Sequence, residues 1–213
     1  MTDSDDRCPR TEMPTQYLEG KMLIAMPTMG DPRFERSLIY LCAHSDEGAM
    51  GLIVNKLVPS LHFSDLMERL GIARPPSVAA ALDGEAPDHS NHTDMLILEG
   101  GPVENGRGFV LHSPDYNSGS STLAVSDTVS MTATTDILVA ISTGQGPGKA
   151  IFTLGYSGWS AGQLEQEIQA NGWLHCDADD ALIFDQALDT KYDRALAKLG
   201  IDVSFLSSEA GHA

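Results

Sequence analysis

The residues of this chain that could do chemistry fall in a few short stretches, and the first is Gly155-Tyr156-Ser157-Gly158-Trp159. Ser157 follows the apolar run Ala150 to Leu154 and precedes a helix start, which is where the nucleophile of an α/β-hydrolase sits. Trp159 replaces the last glycine of GxSxG, and a triad would require His112 or His175 to be carried close to the serine and oriented by a carboxylate. A turn joining strand to helix accounts for the same residues without chemistry. Gly144-Gln145-Gly146-Pro147-Gly148-Lys149-Ala150 offers glycine N–H groups to an anion. Thr143 stands where a phosphate loop has its first glycine, Ala150 where it has a hydroxyl, and a strand follows where a helix belongs. A plain helix-to-strand connection fits better.

Metal chemistry has equally thin support. His89 and His92 are two ligands at i,i+3 in an acidic loop with no convincing third partner. Asp177-Ala178-Asp179-Asp180 starts like a calcium loop, but Leu182 and Leu188 occupy the glycine and bidentate-glutamate positions. No catalytic set, metal site or cofactor motif is assigned. Cys42 reads as a small core residue, and Cys176, between His175 and Asp177, as a thiol with room to be exposed and nothing to depress its pKa. In Gly100-Gly101-Pro102-Val103, paired glycines before a proline allow close backbone approach to a ligand or another strand, with tight chain reversal the preferred account.

The elements that must position these residues follow from pattern. Residues 1–16 are polar and acidic and read as a disordered lead-in. Strands are predicted over 20–25, 37–42 and 49–54, the last two joined by a longer hairpin loop at 44–48. Met22, Met26 and Met29 read as core filler. A short helix capped by Ser64 carries Phe63, Leu66, Met67 and Leu70, and residues 74–93 read as an exposed loop. Further strands are expected over 95–98, 108–112, 123–125 and 129–132, with 104–107 as a hairpin turn, and Ile137, Leu138 and Ile141 mark a helix stopped by Gly144. The strand over 150–154 ends in a turn at 155–158. Ser160 and Gln163 have capping-box spacing for a helix that carries Leu164 and Ile168 inward, with Trp159 as its staple and Glu165 and Glu167 on other faces. A strand over 182–184 and a helix bearing Tyr192, Leu196 and Leu199 close the chain. Strands cluster early, helices late, and hairpins outnumber βαβ units, so the class is α+β with a mostly antiparallel or mixed sheet.

Thirty acidic and thirteen basic residues among 213 give a net charge of -17, a field that repels nucleic acid and anionic membranes. Three cysteines at unrelated spacings and the absence of an apolar leader or of a long apolar run point to a soluble, cytoplasmic protein with reduced thiols.

Four blocks then carry a resemblance: LEGKMLIAMPTMGDPRFERSLIYLCAHSDEGAMGLIVNK from Leu18, LEGGPVENGRGFVLHSP from Leu98, LGYSGWSAGQLEQEIQANGWL from Leu154, and LIFD from Leu182. In order and spacing they resemble the bacterial AlgH/YqgE family over about residues 17–210. The resemblance implies one α+β domain over 17–210, with a complex mixed, partly barrel-like bent sheet surrounded by helices. It transfers no catalytic residue, since the family is essentially uncharacterised; one branch carries the name of a transcriptional regulator. Polar and glycine positions that match the blocks name a candidate ligand or partner surface: Asn55, Gly100, Gly101, His112, Tyr156 and Gln163. Gly172 departs from the bulkier residue the pattern leads one to expect. The leading expectation is a non-enzymatic binding or regulatory protein with a protein or small-molecule partner. A hydrolase or transferase centred on Ser157 and a nearby histidine, and a regulator that binds DNA directly, are the alternatives.

Overall fold

The computed structural model describes residues 17–59, 61–72 and 95–202; the expected lead-in over 1–16 with Cys8, the expected loop over 74–93 with His89 and His92, and the expected domain end past 202 lie outside them. Among the described residues, nine strands form one sheet: β1 (Lys21–Ala25), β2 (Leu38–Ser45), β3 (Gly48–Ile53), β4 (Ile97–Glu99), β5 (Val103–His112), β6 (Thr122–Ala124), β7 (Ser130–Thr132), β8 (Ala150–Ser160) and β9 (Trp173–Asp177). Their order is β6-β7-β5-β8-β3-β2-β1-β9, every pairing on that path is antiparallel, and β4 joins β8 in parallel. The sheet curls into a half-barrel beside α1 (Phe63–Arg69), α2 (Thr135–Ser142), α3 (Gln163–Gln169), α4 (Asp180–Phe184) and α5 (Leu188–Lys198), the α+β class with a bent, partly barrel-like sheet.

Both faces of the central strands are buried, so their sequences read as continuous apolar runs. Met22 and Ile24 of β1 face the inside of the curl with Tyr40, Cys42 and the α5 residues Tyr192 and Leu196. Leu23, Ile39 and Leu41 face outward and are covered by Trp159, Trp173 and the α3 residue Leu164. Across the other half, α1 and α2 set Phe63, Met67, Ile137 and Ile141 on Ile97, Val110 and Phe152.

Several expectations are corrected. The β2–β3 hairpin is tight, because Ser45 pairs with Gly48 and leaves only Asp46-Glu47 in the turn. β8 does not stop at Leu154. It continues to Ser160, with Gly155 at φ 71°, where a Cβ would lie 2.5 Å from the Gly101 carbonyl oxygen. Residues 104–107 belong to β5 as a wide bulge: pairing jumps from Val103↔Tyr156 to Gly108↔Leu154. Residues 182–184 are helical, since the Asp179 carboxylate accepts the Leu182 N–H at 2.8 Å and caps α4; a short apolar run cannot tell helix from strand. Ser64 lies inside α1 and caps nothing; His62 holds the N-cap position without a side-chain bond. At α3 half of the capping box forms: Gln163 Oε1 accepts the Ser160 N–H at 3.0 Å, but Gly162 is the N-cap residue and no side chain caps the helix. Cys176 is buried, because β9 is a strand and turns it toward Met22.

Candidate ligand groove

β9 is the last strand of the sheet, so its outer edge has no strand partner among the described residues. A groove of about 590 Å³ lies there. The helix α3 contributes Glu165, Ile168 and Gln169 as one wall, the end of α5 contributes Lys198 and Leu199 as the other, and Lys21, His175 and Asp177 lie between. Leu18 and His44 close one end.

His44 reaches this place through an irregularity. Ile39 and Leu41 point outward, so strict alternation would turn His44 into the barrel. The β2–β3 register shifts between Leu41 and Ala43, which puts Cys42 at a bulge and returns His44 to the outer face opposite Ala49. There Nδ1 accepts the Leu18 backbone N–H at 2.9 Å, and Nε2 lies 2.8 Å from Glu165 Oε1. A backbone N–H can only donate and a carboxylate only accept, so the imidazole is neutral at Nδ1 and donates from Nε2. Its side chain is 3% exposed and that of Glu165 is 35% exposed. The carboxylate thus stands at the border of interior and groove with one oxygen fixed.

Two turns of α3 carry a second anchored carboxylate. Glu167 Oε2 accepts the indole N–H groups of Trp159 at 2.9 Å and Trp173 at 2.7 Å, while its Oε1 accepts from Gln163 Nε2 at 2.9 Å. Glu167 therefore faces the sheet, contrary to the wheel position expected for it, and fastens the groove wall. On the opposite side Lys21 pairs with Asp177 at 2.5 Å, and Lys198 Nζ donates to the Asp177 carbonyl at 2.9 Å and to Asp179 at 2.6 Å. The Lys21 ammonium holds the Asp177 carboxyl below the usual carboxylate range, and burial raises the Cys176 thiol. His175 is exposed and makes no side-chain hydrogen bond among the described residues.

The residues named from sequence sit mostly elsewhere. Gly100, Gly101 and Tyr156 come together where the chain after β4 crosses β8: a Cβ on Gly100 would lie 2.2 Å from the Gly155 oxygen, and one on Gly101 2.2 Å from the Tyr156 carbonyl carbon. The close approach is to another strand. Asn55 bridges the start of β2, accepting the Leu38 N–H at 2.8 Å and donating to the Arg36 carbonyl at 2.9 Å. His112 is fully buried; Nδ1 donates to the Ser113 carbonyl at 2.8 Å and Nε2 meets the Thr132 hydroxyl at 2.9 Å. Gln163 is the one member beside the groove, on the first turn of α3. Ser157 is fully buried and donates to the Gly100 carbonyl at 3.4 Å, with no histidine among the described residues bonded to it. In the 144–150 connection, the Asp115 carboxylate accepts the Gly148 N–H at 2.9 Å, so the chain's own anion takes the donor a phosphate would need.

Sequence reasoning missed His44, Glu165 and Lys191. A polar residue ending an apolar strand was the available signal for His44, but only the bulge decides its face. Lys191 is fully buried on α5 and donates to the carbonyls of Val54 at 3.0 Å and Ile183 at 2.8 Å; burial pushes its pKa down to about 8.

Fold and groove define an α+β protein with a half-barrel sheet and a polar cleft at one sheet edge. The chain belongs to the AlgH-like family, whose model matches residues 22–204. It is 58% identical over 200 residues to the UPF0301 protein blr1492 of Bradyrhizobium diazoefficiens, covering 92% of this chain and 89% of that one. A UPF0301 protein of Rhodopseudomonas palustris is 56% identical over 197 residues, with 92% and 87% covered. The solution structure of the AlgH protein from Pseudomonas aeruginosa is similar with a TM-score of 0.69 and 41% identity over 100% of both chains. The crystal structure of the protein DIP2367 from Corynebacterium diphtheriae, at 15% identity, shares the fold with a TM-score of 0.64 over 90% of this chain and 92% of that one. No helix among the described residues is long and apolar enough to cross a membrane.

Proposed function

We propose that this protein acts by binding, without catalysing a reaction, and that the groove between α3 and the end of α5 receives a small polar ligand through which it exerts a regulatory role in the cytoplasm. The observation that supports this reading is the convergence of polar side chains from β1, β2, α3, β9 and α5 on one cleft of about 590 Å³, within the range of small-molecule sites. Asn55, Gly100, Gly101, His112, Tyr156 and Gln163 enter as framework, with Gln163 holding Glu167 and so the groove wall. Ser157, buried and bonded to a backbone carbonyl, gives a hydrolase no support, and the -17 net charge weighs against direct binding of DNA.

The test is a fragment screen against isotope-labelled full-length chain, read by amide shifts. Hits that perturb residues 165–169, 175 and 198–199 are expected. Hits confined to the Gly100–Tyr156 crossing, or none at the groove, would overturn the assignment.

A further inference from the structure

We infer that the groove is built for an organic cation, a primary amine or guanidinium on an aliphatic stem, with Glu165 as its anchor. The inference rests on the groove reading above and names the chemistry of its occupant. One carboxylate oxygen of Glu165 is held by His44 Nε2–H at 2.8 Å, and the other accepts no hydrogen bond among the described residues. An ionised carboxylate only accepts, so this oxygen calls for a donor, and an ammonium or guanidinium makes the strongest such bond. His44 Nδ1 accepts the Leu18 N–H at 2.9 Å, which leaves Nε2–H as the donor that faces the carboxylate. The imidazole is a positioning group, which fixes the carboxylate in the groove wall.

The rest of the lining agrees with that choice. Asp177, with a side chain 79% exposed, has only one oxygen engaged by Lys21 and offers a second acceptor. Lys21 and Lys198 are each committed to an aspartate, so an anionic ligand would have to draw them away, whereas a cation finds Glu165 already placed. Leu18, Ile168 and Leu199 supply apolar surface for a methylene stem. The net charge of -17 raises the local concentration of any cation.

Hexylamine, hexan-1-ol and hexanoate share one stem and differ only in the head group, and titrating each into labelled full-length protein at low ionic strength separates the cases. Hexylamine is expected to shift the amides of Glu165, Ile168, Gln169 and His175 saturably, at least tenfold more tightly than the other two. Glu165→Gln should weaken hexylamine about tenfold, the loss of one charge-assisted bond. Gln169→Lys, at an exposed position, should weaken hexylamine several-fold by like charge and leave hexanoate no weaker. His44→Gln, which keeps a donor toward Glu165, should retain affinity that His44→Ala loses. Groove binding of hexanoate as tight as that of hexylamine, or hexylamine binding unchanged in Glu165→Gln and Gln169→Lys, sinks the cation assignment and leaves the groove reading standing. No groove shifts with any of the three compounds sinks both.

Discussion

His44 of β2 and His112 of β5 are buried imidazoles in one sheet, each with both ring nitrogens bonded, yet they hold opposite tautomers. His112 donates from Nδ1 to the carbonyl of its neighbour Ser113 and meets a threonine hydroxyl with Nε2; that hydroxyl lies 2.8 Å from Thr122, which in turn accepts the Ser118 N–H at 3.1 Å, so each partner of the chain is another group of the same fold. His44 accepts at Nδ1 and donates from Nε2 to a carboxylate 121 residues away that borders open space. Burial and residue type are the same. What separates a histidine that closes a structure from one that prepares a surface is where its partners' remaining valences point.

If the interior groups are purely structural, their removal must register in stability and leave the groove untouched. The largest effect is expected at Lys191, which is fully buried on α5 as His112 is on β5. Its folded pKa of about 8 lies below the value of about 10.4 for an open chain, so between those pH values the unfolded chain holds a proton that the folded one has released. The Lys191 contribution to stability should therefore rise by about 3 kcal/mol from pH 8 to pH 10.5. Burial raises the Tyr40 hydroxyl and the Cys42 thiol, which pull stability the other way over that range, so the rise is read as the difference in urea midpoints between the parent chain and Lys191→Met. A parallel pH profile for the variant would mean that the lysine is hydrated.

His112→Ala should cost about 2–3 kcal/mol, since it opens a cavity and strands the Ser113 carbonyl and the Thr132 hydroxyl. Burial also holds His112 below the usual imidazole range, so its contribution is complete above about pH 6.5 and fades as pH falls toward the folded value. Urea denaturation at pH 7 and pH 5 measures both terms. Unchanged stability with disturbed groove shifts would reverse the roles given to the two histidines. Glu165→Gln marks the small end: with a third of its side chain exposed, its loss should change stability by less than about 1 kcal/mol, which chemical denaturation resolves. A loss of several kcal/mol would make it an interior residue like the others.

Much of the architecture was legible from local signals. The apolar runs of β1, β2 and β3, the 3.6-residue spacing in α2 and α5, and Gly144, at φ 73°, stand as the pattern predicts. At Gly100-Gly101 the residue types allow either a chain reversal or a close approach, with chain reversal the preferred account; the approach to β8 is what the structure shows. β9 escaped notice because its solvent-facing residues, His175 and Asp177, are polar and its run of five is short. α4 was mistaken for a strand because four residues of Ala181 to Phe184 satisfy either period, and the deciding contact is the Asp179 cap. The groove was the least legible part. It depends on a bulge at Cys42 that reverses the parity of β2, and on Glu165 being brought to His44 by the β3–β8 pairing, neither of which leaves a mark in composition or spacing.

The two indoles on Glu167 have an optical consequence. Trp159 and Trp173 are the chain's two tryptophans, their rings lie 5.8 Å apart edge to face, and both donate to one carboxylate oxygen at the foot of α3. All tryptophan emission from this molecule therefore originates within one turn of the groove wall. Intensity and wavelength will follow the seating of α3 and say little about α1 and α2 on the far half of the sheet, so an unfolding curve recorded at these fluorophores describes one side of the protein, and a ligand that moves α3 announces itself without a label.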